Sequence, residues 1–137
     1  MASIQREMVL NVDSAKVWDA LRDIGALHTR LACGFVTDCR LDGDARMVTF
    51  ANGLVARELI VDVNETDRRV VWSAVGGRLS HHNASAQVFA DGPRSRFVWI
   101  ADLLPNEMAP AISGMIDQGM SAIKKTLEGA KSNERSS

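Results

Sequence analysis

The sequence predicts an α+β fold in which a curved antiparallel sheet of six to seven strands wraps around one long C-terminal helix. Between Arg68 and Pro105, three runs of alternating small or apolar and polar residues are separated by turn residues, a pattern typical of consecutive strands. Directly after them, Glu107 to Glu128 carries apolar residues at helical spacing. A sheet of this size curls, and one helix does not fill its hollow. We therefore expect a cavity between the helix and the sheet.

The remaining elements follow from caps and turns. Ile4 to Asn11 is the first predicted strand, and Asp13 or Ser14 caps a first helix. A short second helix is expected around Ala26 to Leu31. Turn signals such as Asp42-Gly43 and Asn52-Gly53 then separate the later strands. These strands are predicted at Gly34–Leu41, Ala45–Phe50, Leu54–Val63, Arg69–Val75, Leu79–Ala90 and Ser95–Leu104.

Length and composition predict one domain. The chain has 137 residues, of which 46% are hydrophobic and 24% charged, enough apolar material for a core. We expect the domain to span residues 1–128 and a flexible polar tail to span 129–137. Cys33 and Cys39, six positions apart on one predicted strand, cannot reach each other for a disulfide and are expected as free thiols.

Charge and hydropathy exclude several classes of partner. No apolar run approaches the length of a membrane span. The net charge of -1 and the lack of a basic patch argue against a nucleic-acid partner. The first ten residues lack the pattern of a secretory signal, so we expect a cytoplasmic protein. We also expect it to be a monomer or a homodimer.

Strand alternation predicts which side chains face the cavity. On the strand Leu79–Ala90, His82 shares a face with Ala84, Ala86 and Val88, while its neighbour His81 shares the other with Asn83. Adjacent histidines point to opposite sides and cannot hold one metal ion. We expect neither a metal nor a cofactor. Small residues such as Ala74 and Gly119 leave room in the hollow, and Met108 and Met115 provide an adaptable wall.

Several segments together resemble a known family. They are VDSAKVWDALRDIGALH, FANGLVARELIVDVNETDRRVVW, SAVGG, FVWIADLLP and AIKKTLEG, in this order. The chain resembles the SRPBCC, or START-like, helix-grip superfamily, most closely its bacterial polyketide cyclase/dehydrase-like branch and distantly the plant abscisic acid receptors. The resemblance extends from about Ile4 to Leu127. It implies the helix-grip fold and a cavity for a hydrophobic ligand.

The resemblance also implies site residues. Glu58 in AREL corresponds to a cavity glutamate of the plant receptors, Trp72 to a cavity phenylalanine and Ala74 to an apolar wall position. His82 falls where those receptors carry a cavity tyrosine. Thr37 stands where their lysine would hold a carboxylate, so hormone binding by that mechanism is not expected. The full set expected to bind ligand is Thr37, Phe50, Glu58, Trp72, Ala74, His82, Ala84, Val98, Ile100, Met115 and Gly119.

For two strands, the sequence does not decide which face points into the cavity. On Leu54–Val63, either Ala56, Glu58 and Ile60 face the cavity, or Val55, Arg57, Leu59 and Val61 do, which is the more natural amphipathic pattern. On Ser95–Leu104, the resemblance favours Val98, Ile100 and Asp102 inward, whereas burial of aromatic side chains favours Phe97, Trp99 and Ala101. The set of ligand-binding residues given above takes the face that the resemblance favours, but the pattern leaves the inward face of both strands open. Trp18 and Trp99 are interpreted as structural.

These residues support two functions. The first is binding of a hydrophobic small molecule, lipid- or polyketide-like. The alternative is a metal-free cyclase or dehydratase in which Glu58 and His82 act as acid and base, with Asp102 orienting His82. A carboxylate isolated in an apolar cavity would have a raised pKa suited to proton transfer. A third hypothesis is an association module that acts through an exposed sheet edge or helix, and a hollow filled by Trp72 and the methionines would favour it.

Overall fold

The computed structural model describes the backbone of residues 1–136 and the side chains of residues 1–129. One strand and two short helical segments precede six consecutive strands, and a long helix follows them. In chain order they are β1 (Ala2–Leu10), α1 (Ser14–Arg22), a π-helical segment (Leu27–Leu31), β2 (Val36–Asp42), β3 (Ala45–Phe50), β4 (Val55–Asn64), β5 (Arg69–Val75), β6 (His81–Asp91), β7 (Arg94–Leu104), a 3₁₀ turn (Asn106–Met108) and α2 (Ala109–Ser136).

The strands of the described residues form one seven-stranded antiparallel sheet. Their order is β1-β7-β6-β5-β4-β3-β2, so each strand from β2 to β7 pairs with its sequence neighbour and β1 closes against β7. The stretch that holds α1 and the π-helical segment carries the chain from one edge strand, β1, to the other, β2. This architecture confirms the predicted helix-grip fold, with its open curved sheet, long C-terminal helix and short helices after β1.

Most element boundaries lie within two residues of their predicted positions. Asp13 caps α1 through a hydrogen bond from the Ala15 backbone N–H at 3.2 Å. The start of β2 at Val36 corrects one assignment, because Cys33 precedes the strand instead of lying on it. The last helix is longer than predicted and is helical to Ser136. The flexibility predicted for 129–137 stays a prediction, since residue 137 and the side chains after 129 lie outside the described residues.

The core lies between the inner face of the sheet and the two α-helices. From α2, Ile116, Ile123 and Leu127 are buried against the sheet, and α1 contributes Val17 and Leu21, which also lie in the core. Burial of these apolar side chains is the main stabilising term for such a fold. None of the helices in the described residues combines the length and the apolar character that a bilayer crossing requires.

A buried indole connects α1 to the far end of the sheet. Trp18 donates its Nε1–H to Glu65 Oε2 at 2.6 Å, and Arg22 donates to the other carboxylate oxygen at 2.7 Å. Glu65 lies in the turn between β4 and β5. These contacts agree with the structural role predicted for Trp18, and they hold α1 over the end of the hollow opposite the β5–β6 connection.

Candidate functional site

The hollow between the sheet and α2 contains a cavity of about 660 Å³. This volume lies within the range of sites that enclose small molecules. Most of the lining is apolar. It includes Leu21, Leu27, Leu31, Val48, Phe50, Ala56, Trp72, Ala86, Phe97, Trp99, Ile112, Met115, Ile116 and Gly119. A cavity of this size is incompatible with a hollow filled by Trp72 and the methionines.

Three segments form the mouth of the cavity. The β3–β4 hairpin contributes Leu54 and Val55, and the end of β5 with the following connection contributes residues 75–79. The first turns of α2 contribute Ile112 and Met115. Leu54 and Val55 are more than half exposed, although their side chains are apolar. The opening is therefore bordered by hydrophobic surface that a ligand or partner could cover.

A buried ion pair lies in the wall of the cavity. Arg46 Nε donates to Glu58 Oε1 at 2.8 Å, and the two side chains are only 4% and 10% exposed. These residues stand directly opposite each other on β3 and β4. The guanidinium group also donates from Nη1 to the Ile24 carbonyl oxygen at 3.2 Å and lies 5.5 Å from the centre of the Trp72 ring. These contacts fix the position of a positive charge inside the cavity.

Arg46 was not predicted from the sequence, although a signal existed. Arg46 shares a strand face with Val48 and Phe50, which are apolar. The Asn52-Gly53 hairpin sets a register in which residue 46 opposes residue 58. A charged residue on an apolar face, opposite a glutamate, is the pattern of a buried pair.

The orientation of β4 follows the resemblance. Ala56 and Glu58 line the cavity, whereas Arg57, Leu59 and Val61 are exposed. Arg57 forms its own pair with Asp42 at 2.6 Å on the outer surface. The amphipathic alternative for this strand is therefore wrong. Glu58 is nevertheless not the isolated carboxylate expected from the sequence, because Arg46 balances its charge.

His82 also lines the cavity, as β6 alternation predicts. Its Nδ1 accepts a hydrogen bond from the Ala74 backbone N–H at 2.9 Å, so the ring is neutral and its hydrogen is on Nε2. Burial lowers the pKa of His82, and the charge of neighbouring His81 lowers it further. The His82 carbonyl oxygen accepts a hydrogen bond from the Ser73 hydroxyl. Both bonds attach β6 to β5.

Glu58 and His82 lie on the same wall. Glu58 on β4 is the cross-strand partner of Ala74 on β5, and the amide of Ala74 donates to the His82 ring on β6. The two candidate acid and base residues therefore flank Ala74. The structure brings them together around one small side chain.

The predicted orientation of β7 is wrong. Phe97 and Trp99 line the cavity, so Val98, Ile100 and Asp102 lie on the opposite face of the strand. The physical reason is that aromatic side chains bury a large apolar area: Phe97 is fully buried, and Trp99 lies beside Gly119 of α2 and packs edge-to-face on Trp72 of β5, with ring centroids 5.9 Å apart. Trp99 is thus a lining residue, and Asp102 is on the wrong side of the sheet to orient His82.

Two other predicted residues lie outside the lining. Thr37 is exposed, and its hydroxyl donates to the Thr49 carbonyl oxygen at 3.3 Å, because a register shift between Val36 and Asp38 turns this position away. Val36 lines the cavity at this point. Ala84 is buried on the expected side of β6 but belongs to the core and not to the lining. The remaining predicted residues line the cavity: Phe50, Glu58, Trp72, Ala74, His82, Met115 and Gly119.

Gly119 allows the helix to approach the aromatic wall. A Cβ atom at this position would lie 2.8 Å from Trp99 Cζ3 and 3.2 Å from Phe35 Cε2. Phe35 in turn packs edge-to-face on Phe50 at 5.3 Å. The absence of a side chain at Gly119 therefore sets the distance between α2 and the aromatic residues of the cavity.

Comparison with known proteins identifies the family. Residues 1–128 match the family model described as polyketide cyclase / dehydrase and lipid transport. The chain belongs to this family. The match confirms the resemblance on which the site predictions were based. A comparison of the sequence with curated proteins found no match.

Solved structures with the same fold agree with the family assignment. The chain is similar to the protein XoxI from Bacillus cereus, with a TM-score of 0.84, 17% identity and coverage of 96% of this chain and 99% of that one. A START superfamily protein from Mycobacterium smegmatis has a TM-score of 0.77 and 10% identity, with coverage of 93% of this chain and 98% of that one. A norcoclaurine synthase mutant from Thalictrum flavum has a TM-score of 0.69 and 18% identity, with coverage of 95% of this chain and 96% of that one. Identities this low show the shared fold alone.

The polar groups in the cavity of this family member lie on the sheet, and they include the Trp99 Nε1–H, which is buried without a hydrogen-bond partner among the described residues. Arg46, Glu58 and His82 line the cavity, and Arg78 is exposed at its mouth. Among the side chains described, no group of three or more His, Cys, Asp or Glu residues is arranged to hold a metal ion. The wall can offer hydrogen bonds to a ligand, and any proton transfer there would involve Glu58 or His82.

Proposed function

We propose that this protein binds a hydrophobic small molecule, lipid- or polyketide-like, in the cavity between the sheet and α2. The observation that carries the proposal is the cavity of about 660 Å³ with a largely apolar lining and a few polar groups on one wall. Such a combination is typical of small-molecule sites, in which apolar contacts supply affinity and polar groups supply orientation. The family description, which names lipid transport as well as cyclase and dehydrase activity, is consistent with it.

The state of the polar groups favours binding over catalysis. Glu58 is already paired with Arg46, and the Nδ1 atom of His82 already accepts the Ala74 amide. A general base needs an unoccupied lone pair within reach of the proton that it removes. His82 could therefore act only as a donor through its Nε2–H, and Glu58 only through Oε2 while Arg46 balances its charge, whereas a binder uses both groups as they are.

A cyclase or dehydratase activity is the second candidate. Its support is that Glu58 and His82 flank Ala74 on one wall, together with the family description. The fold is also shared by norcoclaurine synthase, an enzyme solved with a transition-state analogue. In this role, the Nε2–H of His82 would donate to a substrate carbonyl. Glu58 Oε2 would remove the adjacent proton, and Asp102 would take no part.

The first test is chemical extraction of the natively purified protein, followed by mass spectrometry of released small molecules. We expect a recurrent apolar compound. The matched variants are Ala56→Phe, which places a ring in the cavity, and Val61→Phe, which places the same ring on the exposed face of the same strand. Ala56→Phe should reduce the amount of bound compound, and Val61→Phe should not. Equal retention by the two variants would place the ligand elsewhere.

The second candidate has a separate test. The released compound is incubated with wild-type protein and with Glu58→Gln, and its mass is followed. Loss of water that requires Glu58 would establish dehydration, in which a C–H and a C–O bond break and a C=C bond forms. An unchanged compound that rebinds would leave binding as the function.

A further inference from the structure

The Arg46–Glu58 pair restricts the chemical class of ligand, an inference that rests on the proposed binding function. The pair is almost fully buried in the cavity wall. The opposite charges cancel, and the guanidinium group is held by Ile24 and Trp72 as well as by Glu58. Separating a buried pair of this kind is costly because each charge would be left without compensation. A ligand must therefore bind to the pair as it stands.

The pair retains unused hydrogen-bonding capacity. Arg46 Nη2 and Glu58 Oε2 form no hydrogen bond to any residue that the structure describes, while both side chains line the cavity. One atom is a donor and the other an acceptor. His82 is neutral, so the inner wall as a whole carries no net charge.

We propose that the Arg46–Glu58 pair selects an uncharged ligand whose polar end both donates and accepts a hydrogen bond, such as a primary amide or a hydroxy-carbonyl group. Such an end can accept from Arg46 and donate to Glu58 without disturbing the ion pair. A carboxylate at the same position would lie beside the Glu58 carboxylate, and an ammonium group beside Arg46. Like charges repel strongly in a poorly hydrated site.

Arg78 is the other charge in the cavity lining. It is exposed at the mouth, where water screens it. It can attract an anionic ligand to the opening but does not balance a charge beside Glu58. The experiment therefore includes Arg78→Gln, in which the discrimination against anions should be kept or increased.

The test uses displacement of the fluorescent probe N-phenyl-1-naphthylamine by lauramide, laurate and methyl laurate at pH 8. These ligands share a chain length and differ only at the polar end. Methyl laurate accepts but does not donate, and it is more hydrophobic than the amide. We expect lauramide to bind at least about tenfold more tightly than laurate, the scale of one hydrogen bond to a charged group. We also expect it to bind more tightly than methyl laurate.

Variants test whether the preference for lauramide over laurate depends on the Arg46–Glu58 pair. Glu58→Gln is isosteric and leaves Arg46 positive, so laurate should gain affinity relative to lauramide. The double variant Arg46→Gln/Glu58→Gln restores neutrality and should prefer lauramide again. The wild-type comparison with methyl laurate needs no variant, so the proposal remains falsifiable if Glu58→Gln does not fold.

The outcomes separate this inference from the proposed function. Failure of the probe and all three ligands to bind would refute the proposed function itself. Binding of the probe with laurate equal to or tighter than lauramide would overturn the inference while leaving the binding function intact. A methyl laurate affinity above that of lauramide, or an unchanged preference in folded Glu58→Gln, would also overturn it, because hydrophobicity alone would then explain the order.

Discussion

The Ala74 backbone N–H donates to His82 Nδ1 at 2.9 Å, which joins a main-chain amide of β5 to a cavity side chain of β6. A backbone N–H can only donate, so the bond requires the neutral ring with its hydrogen on Nε2. Protonation of the ring at Nδ1 would remove the acceptor and leave the Ala74 amide without it. The same bond therefore orients His82 and makes the fold sensitive to its protonation.

The pH dependence of stability tests this bond. Burial lowers the pKa of folded His82 below its ordinary value of 6.5, so between the two values the unfolded chain binds more protons than the folded one. The free energy of unfolding should therefore decrease as the pH falls from about 6.5 through the lowered pKa. His82→Phe removes this contribution, and urea unfolding at a series of pH values measures the difference.

The control for this experiment is His81→Gln. His81 is exposed on the other face of β6, and its charge is the smaller cause of the His82 shift. We expect His81→Gln to keep most of the decrease in the free energy of unfolding with falling pH, and His82→Phe to lose it. His82→Phe should also lower the free energy of unfolding by about 1–3 kcal/mol, because the Ala74 N–H is left unpaired. Parallel pH profiles for wild type and His82→Phe would contradict the assignment.

Removal of one member of the buried ion pair should be strongly destabilising. Arg46→Ala leaves the Glu58 carboxylate buried without its counter-ion, and we expect a loss of about 3–5 kcal/mol in the free energy of unfolding. The double variant Arg46→Met/Glu58→Leu should lose much less than the sum of its single variants. Chemical denaturation of wild type, Arg46→Met, Glu58→Leu and the double variant gives the coupling energy.

The Arg57–Asp42 pair is a control close to the buried one. Its side chains are 43% and 62% exposed, although the two atoms approach to 2.6 Å. Because water screens this pair, Arg57→Ala should cost no more than about 1 kcal/mol. Equal losses for Arg46→Ala and Arg57→Ala would mean that burial does not determine the strength of these pairs.

Two glycines on α2 should respond in opposite ways to alanine. In Gly119→Ala the new Cβ would lie 2.8 Å from the Trp99 ring, so the aromatic wall or the helix must shift. We expect a loss of about 1–3 kcal/mol. Gly114 is exposed on the same helix, and a Cβ atom added there would have no heavy atom of another element within 4 Å. Gly114→Ala should therefore gain up to about 1 kcal/mol from helix propensity. Thermal unfolding that shows gains for both would contradict the close approach.

The two thiols should react at different rates. Cys33 is exposed, whereas Cys39 is buried and the pKa of its thiol is raised by burial. Since the thiolate is the reactive form, a thiol reagent at pH 8 should label Cys33 quickly and Cys39 only slowly. Cys33→Ser should abolish the fast phase in a spectroscopic labelling assay. A fast phase that survives in Cys33→Ser would show that Cys39 is accessible.

Much of the fold could be predicted from the sequence because its signals are local. Alternation, turn pairs such as Asn52-Gly53 and the helical stripe after Pro105 reflect backbone geometry within a few residues. The inward face of β6 was also predictable, because its small residues and His82 share one parity. For β4 the pattern alone favoured the wrong face, and the family resemblance was needed to choose Glu58.

The errors have non-local causes. Alternation divides a strand into two faces but does not state which face meets the hollow, and on β7 the face with Phe97 and Trp99 is the one that does. At Thr37 a register shift rotated the chain away from the cavity. Arg46 was missed because a charged residue on an inner face is stable only when a partner on another strand compensates it.

The sequence by itself determined the order of elements, the curved sheet around the long helix and the family. Only the tertiary structure decided that Glu58 is neutralised by Arg46, that His82 accepts an amide bond and that Asp102 lies on the far side of the sheet. The physical reason is the range of the interactions. Backbone preferences act between neighbours in the chain, whereas the charge and protonation of a buried group depend on atoms that only folding brings within hydrogen-bonding distance.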